Sequence, residues 1–346
     1  MKQILHIILI SFISLSIISC SRSSSDTPTS TTSSPSHVVV GSKGTILTSS
    51  DNGTTWTSMT SGTTESLSGV TYGNSTFVTV GYLGTILTSS DGTTWTSRST
   101  VTSVPLHEVT YGNSTFVIVG YTYIFTSPDG TTWTSRTSGT SEILGQVTYG
   151  NSTFVISGYS GTILTSSDGT SWDNKTSGTT VNLSGLTYGN STYVIVGSSG
   201  TILTSSDGTS WDNKTSGTTQ YLTEVTYGNN TFVSVGSSGT ILTSPDGTTW
   251  TSRTSGTSYG LGGKTYGNGT FVTVGESGTI LTSSDGVTWT SRTSGTSDKI
   301  REVTYGNSTF VTVGDNGTIL TSTDGTSWTL RTSGTTNTLY GVTYSQ

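Results

Sequence analysis

Thr88-Ser89-Ser90-Asp91-Gly92-Thr93-Thr94-Trp95 is one of eight near-copies of a single stretch. The Trp that ends it falls at Trp56, Trp95, Trp133, Trp172, Trp211, Trp250, Trp289 and Trp328, and the protein has no other Trp. The step between them is 38 residues once and 39 otherwise. A fixed period of this length means a chain of stacked supersecondary units, and it governs the fold before any single residue is read.

One unit, 225–258, holds four β-prone runs: V-T-Y, T-F-V-S-V-G, T-I-L-T-S and T-T-W-T-S-R-T. Their Thr, Val, Ile and aromatic residues suit a pleated surface. Gly-Asn, Gly-Ser-Ser-Gly and Asp-Gly separate them. Asp-Gly reads as a two-residue type I′ loop, which needs positive φ. We name the strands A to D. Phe232-Val233 and Ile241-Leu242 are adjacent apolar pairs and must point to opposite faces. A sheet with one wet face would carry a polar residue at one of them, so both faces are covered. The expected fold is all-β: sheets of four antiparallel strands stacked around a ring as a β-propeller.

The first copy opens on a B strand, near Val38, with no A strand before it. Full units start at Val70, Val109, Val147, Leu186, Val225, Lys264 and Val303, and Val342-Thr343-Tyr344 supplies one further A strand. This last strand is expected to complete the first blade and close a ring of eight blades over 38–346.

Ser49-Ser50-Asp51-Asn52-Gly53-Thr54-Thr55-Trp56 resembles the Asp-box, S-x-D-x-G-x-T-W, of BNR-type propellers, which include sialidases and photosystem II assembly factors. The other copies lack one residue between Asp and Trp. The resemblance implies a structural turn between strands C and D, away from the catalytic face. Asp51, Asp91, Asp129, Asp168, Asp207, Asp246, Asp285 and Asp324 are then turn caps, and the eight Trp pack between blades.

The sialidase constellation is missing. Converging Arg residues are expected there, yet Arg98, Arg136, Arg253, Arg292 and Arg331 all stand three residues after a Trp. Equivalent positions in different blades form a ring and cannot converge. His6, His37 and His107 are scattered and Cys20 is the only Cys, so no metal cluster is expected. No cofactor is implied. Only 9% of residues are charged and the net charge is −6, which leaves no basic field for nucleic acid.

Residues 1–19 read as a signal peptide: Lys2, then an apolar run from Ile4 to Ile18. Ile17-Ile18-Ser19-Cys20 looks like a bacterial lipobox, with Ile18 where a small residue is usual. Lipidation at Cys20 and a Ser/Thr/Pro-rich tether over 20–37 are expected. Ser21 after the Cys implies the outer membrane, and the membrane is met only through the anchor.

The repeats differ mainly at two places. One is the B–C turn, with Lys43, Tyr82, Tyr121, Tyr159, Glu276 and Asp315. The other is the D–A crossing, with Tyr221, Tyr259, Asp298, Lys299, Arg301, Glu302 and Tyr340. A meander puts both on one face and the uniform A–B and C–D turns on the other. Drift in unconstrained loops would give the same variation. The sequence supports a monomeric exported lipoprotein, not an enzyme, that binds a protein on this face through the charged sector Glu276 to Asp315 and the Tyr residues. A glycan-binding lectin or sialidase-like glycosidase, or an assembly factor, is the alternative.

Lipidation has a direct test. Wild type should enter the detergent phase on partitioning and Cys20→Ala should not; equal recovery in water would remove the anchor.

Overall fold

The computed structural model describes residues 35–99 and 102–345. The segment 1–19, Cys20 and the tether up to residue 34 lie outside the described residues. Among the described residues there are eight sheets of four antiparallel strands, each in the order A-B-C-D. They form a closed eight-bladed β-propeller.

Blade 6 shows why the chain folds this way. Its strands are A (Leu222–Gly228), B (Thr231–Gly236), C (Ile241–Ser244) and D (Thr251–Arg253). Phe232 and Leu242 enter one core with Val194, Val196 and Ile202 of blade 5. Val233 and Ile241, their chain neighbours, enter another with Leu261 and Phe271 of blade 7. Strands B and C therefore present apolar side chains on both faces, and each blade needs a neighbour on each side. The A strands line the axis. There the A-strand Tyr of every blade but the second lies over a Gly of the blade before: a Cβ on Gly228 would stand 2.2 Å from the Tyr266 ring.

The A–B hairpins are tight turns with two left-handed residues, such as Asn229 (φ 43°) and Asn230 (φ 55°), as type I′ geometry requires. The Asp-Gly segment is different. In blade 2, six residues separate strand C (Ile86–Ser89) from strand D (Thr96–Arg98), and only Gly92 has positive φ. The two-residue loop expected there is not formed, because the Asp side chain organises a longer turn.

Closure happens in blade 1. Its A strand is Leu339–Tyr344, and its B strand, His37–Gly41, begins one residue before the boundary read from the sequence. The two pair antiparallel, His37 opposite Tyr344 and Val39 opposite Val342. Ser36 adds to the seam. Its amide donates to the Ser49 carbonyl at 2.7 Å, and its own carbonyl accepts from Ser345 N at 3.2 Å and Asn307 Nδ2 at 3.1 Å. His37 sits opposite Ser49, as Phe77 sits opposite Ser89 in blade 2, so it fills a position held by an aromatic ring in the other blades.

Two changes test this architecture. Phe232→Ala should cost about 3–5 kcal/mol in a denaturant titration, because the ring is fully enclosed. Removing Leu339–Gln346 should lower the melting temperature sharply and promote association by the bared strand edge; an unchanged melt would contradict closure.

Candidate functional site

The Asp-Gly turns come first, because they carry much of the carboxylate in the chain. In blade 6, Ser244 Oγ donates to Asp246 Oδ1 at 3.0 Å. The same oxygen accepts from the amides of Thr248 (2.8 Å) and Thr249 (3.1 Å). Trp250 Nε1 donates to the Gly247 carbonyl at 2.8 Å. The Thr248 hydroxyl and these amides hold the Asp246 carboxyl below its ordinary range. Trp250 is half-buried and packs on the core shared by blades 5 and 6, its ring centroid 6.5 Å from that of Phe232. Each of these groups is thus occupied within its own turn or interface.

The Arg residues three positions after Trp are occupied too. Arg253 Nε donates to Thr243 Oγ1 of its own blade at 2.8 Å, and Arg98, Arg136, Arg292 and Arg331 repeat the bond. They do not converge on a common point.

The A–B turns are uniform for a structural reason. Asn229 Nδ2 reaches the Ser284 carbonyl of the next blade at 3.3 Å, and Asn268 and Asn74 do likewise. Their left-handed backbone and this clip restrict substitution. The B–C turns of the variable face also carry a left-handed residue, but, among the described residues, no Asn clip of this kind. There a main-chain bond that does not depend on side-chain identity ties the B–C turn to the D–A crossing, as in Ser237 N to Tyr221 O (2.9 Å) and Asp315 N to Lys299 O (2.9 Å). The side chains are left to vary.

This face carries exposed aromatics over most of the ring. Tyr82, Tyr121, Tyr159, Tyr221 and Tyr259 are each 40–53% exposed, with Leu83 beside Tyr82. The expected charged sector forms in blades 7 and 8. Arg301 Nε meets Asp315 Oδ1 at 2.5 Å, and its guanidinium lies 5.4 Å from the half-buried Tyr340 ring of blade 1. Lys299 Nζ stands 3.8 Å from Glu276 Oε1. Asp298 accepts from Asn316 Nδ2 at 2.8 Å. Lys43 lies in blade 1, in a groove of about 770 Å³ shared with Asn337.

Glu302 does not join that sector. It turns into the axial channel, where a cavity of about 280 Å³ is lined by Glu108, Gln146, Glu224, Lys264, Glu302 and Tyr340. Glu108, Gln146, Glu224 and Glu302 all stand thirteen residues after a Trp, and Gly69, Gly185, Gly263 and Gly341 hold that position in the other blades. The glycines let A strands approach: a Cβ on Gly185 would fall 2.6 Å from Glu224 Cα. Lys264 stands where the other blades have Val or Leu, and its Nζ meets Glu224 Oε2 at 3.0 Å. Gln146 Nε2 donates to Glu224 Oε1 at 2.7 Å and its carbonyl accepts from Leu186 N at 3.0 Å.

Three carboxylates thus face one ammonium. Burial pushes Glu108 and Glu302 up to about 7, opposed by one main-chain amide each and by Lys264. Burial alone would lower Lys264, but Glu224, Glu302 and Glu108 outweigh it and hold the ammonium above its ordinary value. The sequence reading placed Glu302 on the variable face without showing that it meets Glu108 and Glu224 on the axis.

No family model and no curated protein matches the chain. Solved structures match in shape. YCF48 from Cyanidioschyzon merolae is 16% identical, with TM-score 0.58 over 74% of this chain and 94% of that one. YCF48 bound to D1 peptide is 19% identical, with TM-score 0.58 over 74% and 93%. The shared feature is the propeller itself. Virginiamycin B lyase from Staphylococcus aureus, 12% identical with TM-score 0.62 over 71% and 90%, shares it as well. At these identities the likeness is one of fold, spanning a peptide-bound protein and a lyase.

The channel charge predicts a pH effect. Carboxyls raised in the folded state give stability that is complete below pH 4.5 and lost as pH rises through 7. Glu108→Gln with Glu302→Gln should therefore stabilise the ring at pH 8 by about 1–3 kcal/mol and hardly at all at pH 4.5. Equal effects at both pH values would show that these carboxylates are not desolvated.

Proposed function

We propose that this chain is an exported, lipid-anchored binding module that holds a protein partner on the face formed by its B–C turns and D–A crossings. The observation that carries this reading is the make-up of that face: five exposed Tyr side chains and the ion pairs Arg301–Asp315 and Lys299–Glu276 lie on one end of the ring. Tyr and Arg supply a large share of binding energy in protein interfaces, and charges of both signs suit a protein better than an anionic polymer.

The attachment point supports it. Pro35 and Ser36 join the ring at the opposite face, where Ser36 Oγ accepts from Asn52 N of a C–D turn and Asn307 of an A–B turn donates to the Ser36 carbonyl. The described chain therefore enters the ring on the face that lacks the exposed Tyr residues. Peptide capture by a propeller has a precedent in shape, YCF48 bound to D1 peptide, which favours an assembly or scaffolding role. The Tyr rings could equally stack on sugars, which gives the lectin reading its one support. We assign the chain no catalytic step.

The test is capture from envelope extracts with immobilised wild type, Lys299→Ser/Arg301→Ser, Tyr221→Ser/Tyr259→Ser and, on the opposite face, Val287→Ser. Wild type and Val287→Ser should recover the same protein, more weakly as salt rises. The charge variant should lose most of it with at most a small change in melting temperature, since ion pairs at the surface contribute about 0–1 kcal/mol. Retention by the charge variant with loss by the Tyr variant would move the site along the ring. Signal on a glycan array without protein capture would favour the lectin.

A further inference from the structure

The seam that closes the ring contains an unusual residue. Among the described residues, the second residue of the B strand is Phe77, Phe116, Phe154, Tyr193, Phe232, Phe271 or Phe310 in blades 2 to 8, and its counterpart in blade 1 is His37. Those seven rings are fully buried, and so is His37. Its Nδ1 lies 3.1 Å from Ser36 Oγ, whereas Nε2 has no hydrogen-bond partner. The imidazole fits the slot only as a neutral ring. A cation there would lack both water and a counter-charge.

The surroundings supply no such charge. From the paired A strand the facing titratable group is the Tyr344 phenol, its ring centroid 6.4 Å away. Strand C brings Ser49, whose hydroxyl is committed to Asp51 Oδ1 at 2.8 Å, and that carboxylate is further held by Thr55. Blade 8 brings only the Gly306 carbonyl, which favours the charged form but is outweighed by burial; together they push the imidazole down to about 4.

We propose that His37 makes the ring acid-labile at its seam: protonating the imidazole parts the B strand His37–Gly41 from the A strand Leu339–Tyr344, while the other blades stay paired. The neutral ring is tolerated above the ordinary pKa of His, and the closed seam loses stability as pH falls from 6.5 towards 4. Glu108 and Glu302 act in the opposite sense over part of this range. They lie in the channel, in blades 3 and 8, so a comparison that changes only His37 removes their effect.

Hydrogen exchange of the full chain and of His37→Phe at pH 7, 6, 5 and 4.5, corrected for intrinsic rates, provides the test. Relative to His37→Phe, the wild-type opening constant of Leu339–Tyr344 should rise by about tenfold per pH unit below 6.5, and that of Leu222–Gly228 should be the same in both proteins. In His37→Phe the seam should stay closed across the range. The same pH response in both proteins, or a loss of protection spread evenly over the blades, would overturn the proposal. Should the variant fold poorly, the wild-type imidazole decides alone, with its resonance assigned against His6→Asn and His107→Asn. Titration near pH 6.5 while Leu339–Tyr344 remains protected would overturn the proposal; a ring that stays neutral until the strand opens would support it.

Discussion

A sheet that is apolar on both faces cannot be the last layer of anything. Phe232 and Leu242 face one neighbour, Val233 and Ile241 the other. Every blade repeats that demand, so stacking can stop only by curving back on itself. Each interface buries a similar set of Val, Ile, Leu and Phe side chains, with a half-buried Trp at its edge. A chain with only 29% hydrophobic residues can be stable this way because, among the described residues, most Val, Ile, Leu and Phe side chains are buried between blades.

The ring also separates two kinds of surface. The A–B and C–D turns are built from left-handed Asn and Gly residues, capped Asp and interblade Asn clips, so substitution there disturbs backbone geometry. At the B–C turns the middle residue is left-handed as well: Lys43, Leu83, Ser160, Ser199, Ser238, Ser277 and Asn316 have φ of 52–57°. Their side chains nonetheless project into solvent without partners in the next blade, and their identities differ widely. Variation on that face therefore follows from freedom of the side chain rather than of the backbone.

Much of this was legible in the residues. The Trp period fixed the number of blades, adjacent apolar pairs implied two covered faces, and the unpaired B and A strands at the two ends foretold the composite blade. Counting positions after each Trp placed Arg301, Lys299, Glu276 and Asp315 on one face, while their pairing shows only in the structure. Less visible were features that depend on a third dimension. Glu302 follows Arg301 directly, yet alternation along the strand sends it to the axis, where it meets Glu108 and Glu224 from blades far apart in sequence. Lys264 opens a unit where the others have Val or Leu, and its contact with Glu224 shows only in the structure. The Asp-Gly turn was misread because hairpin statistics describe short loops, and here the Asp carboxylate binds the amides of a longer one.

The composite blade also sets an order in time. Among the described strands, B, C and D of blade 1 are made before the rest, and the strand that completes them follows roughly 300 residues later. At about 5–20 residues per second this is a wait on the order of 15–60 s. During it, Val38, Val39 and Val40 lie on an unpaired edge, and the first sheet has a face with no neighbour. Blades 2 to 8 can form by local hairpins as they emerge, so early assembly is fast, while the final pairing carries the longest loop in the molecule. The blade that begins the chain is the last to be finished.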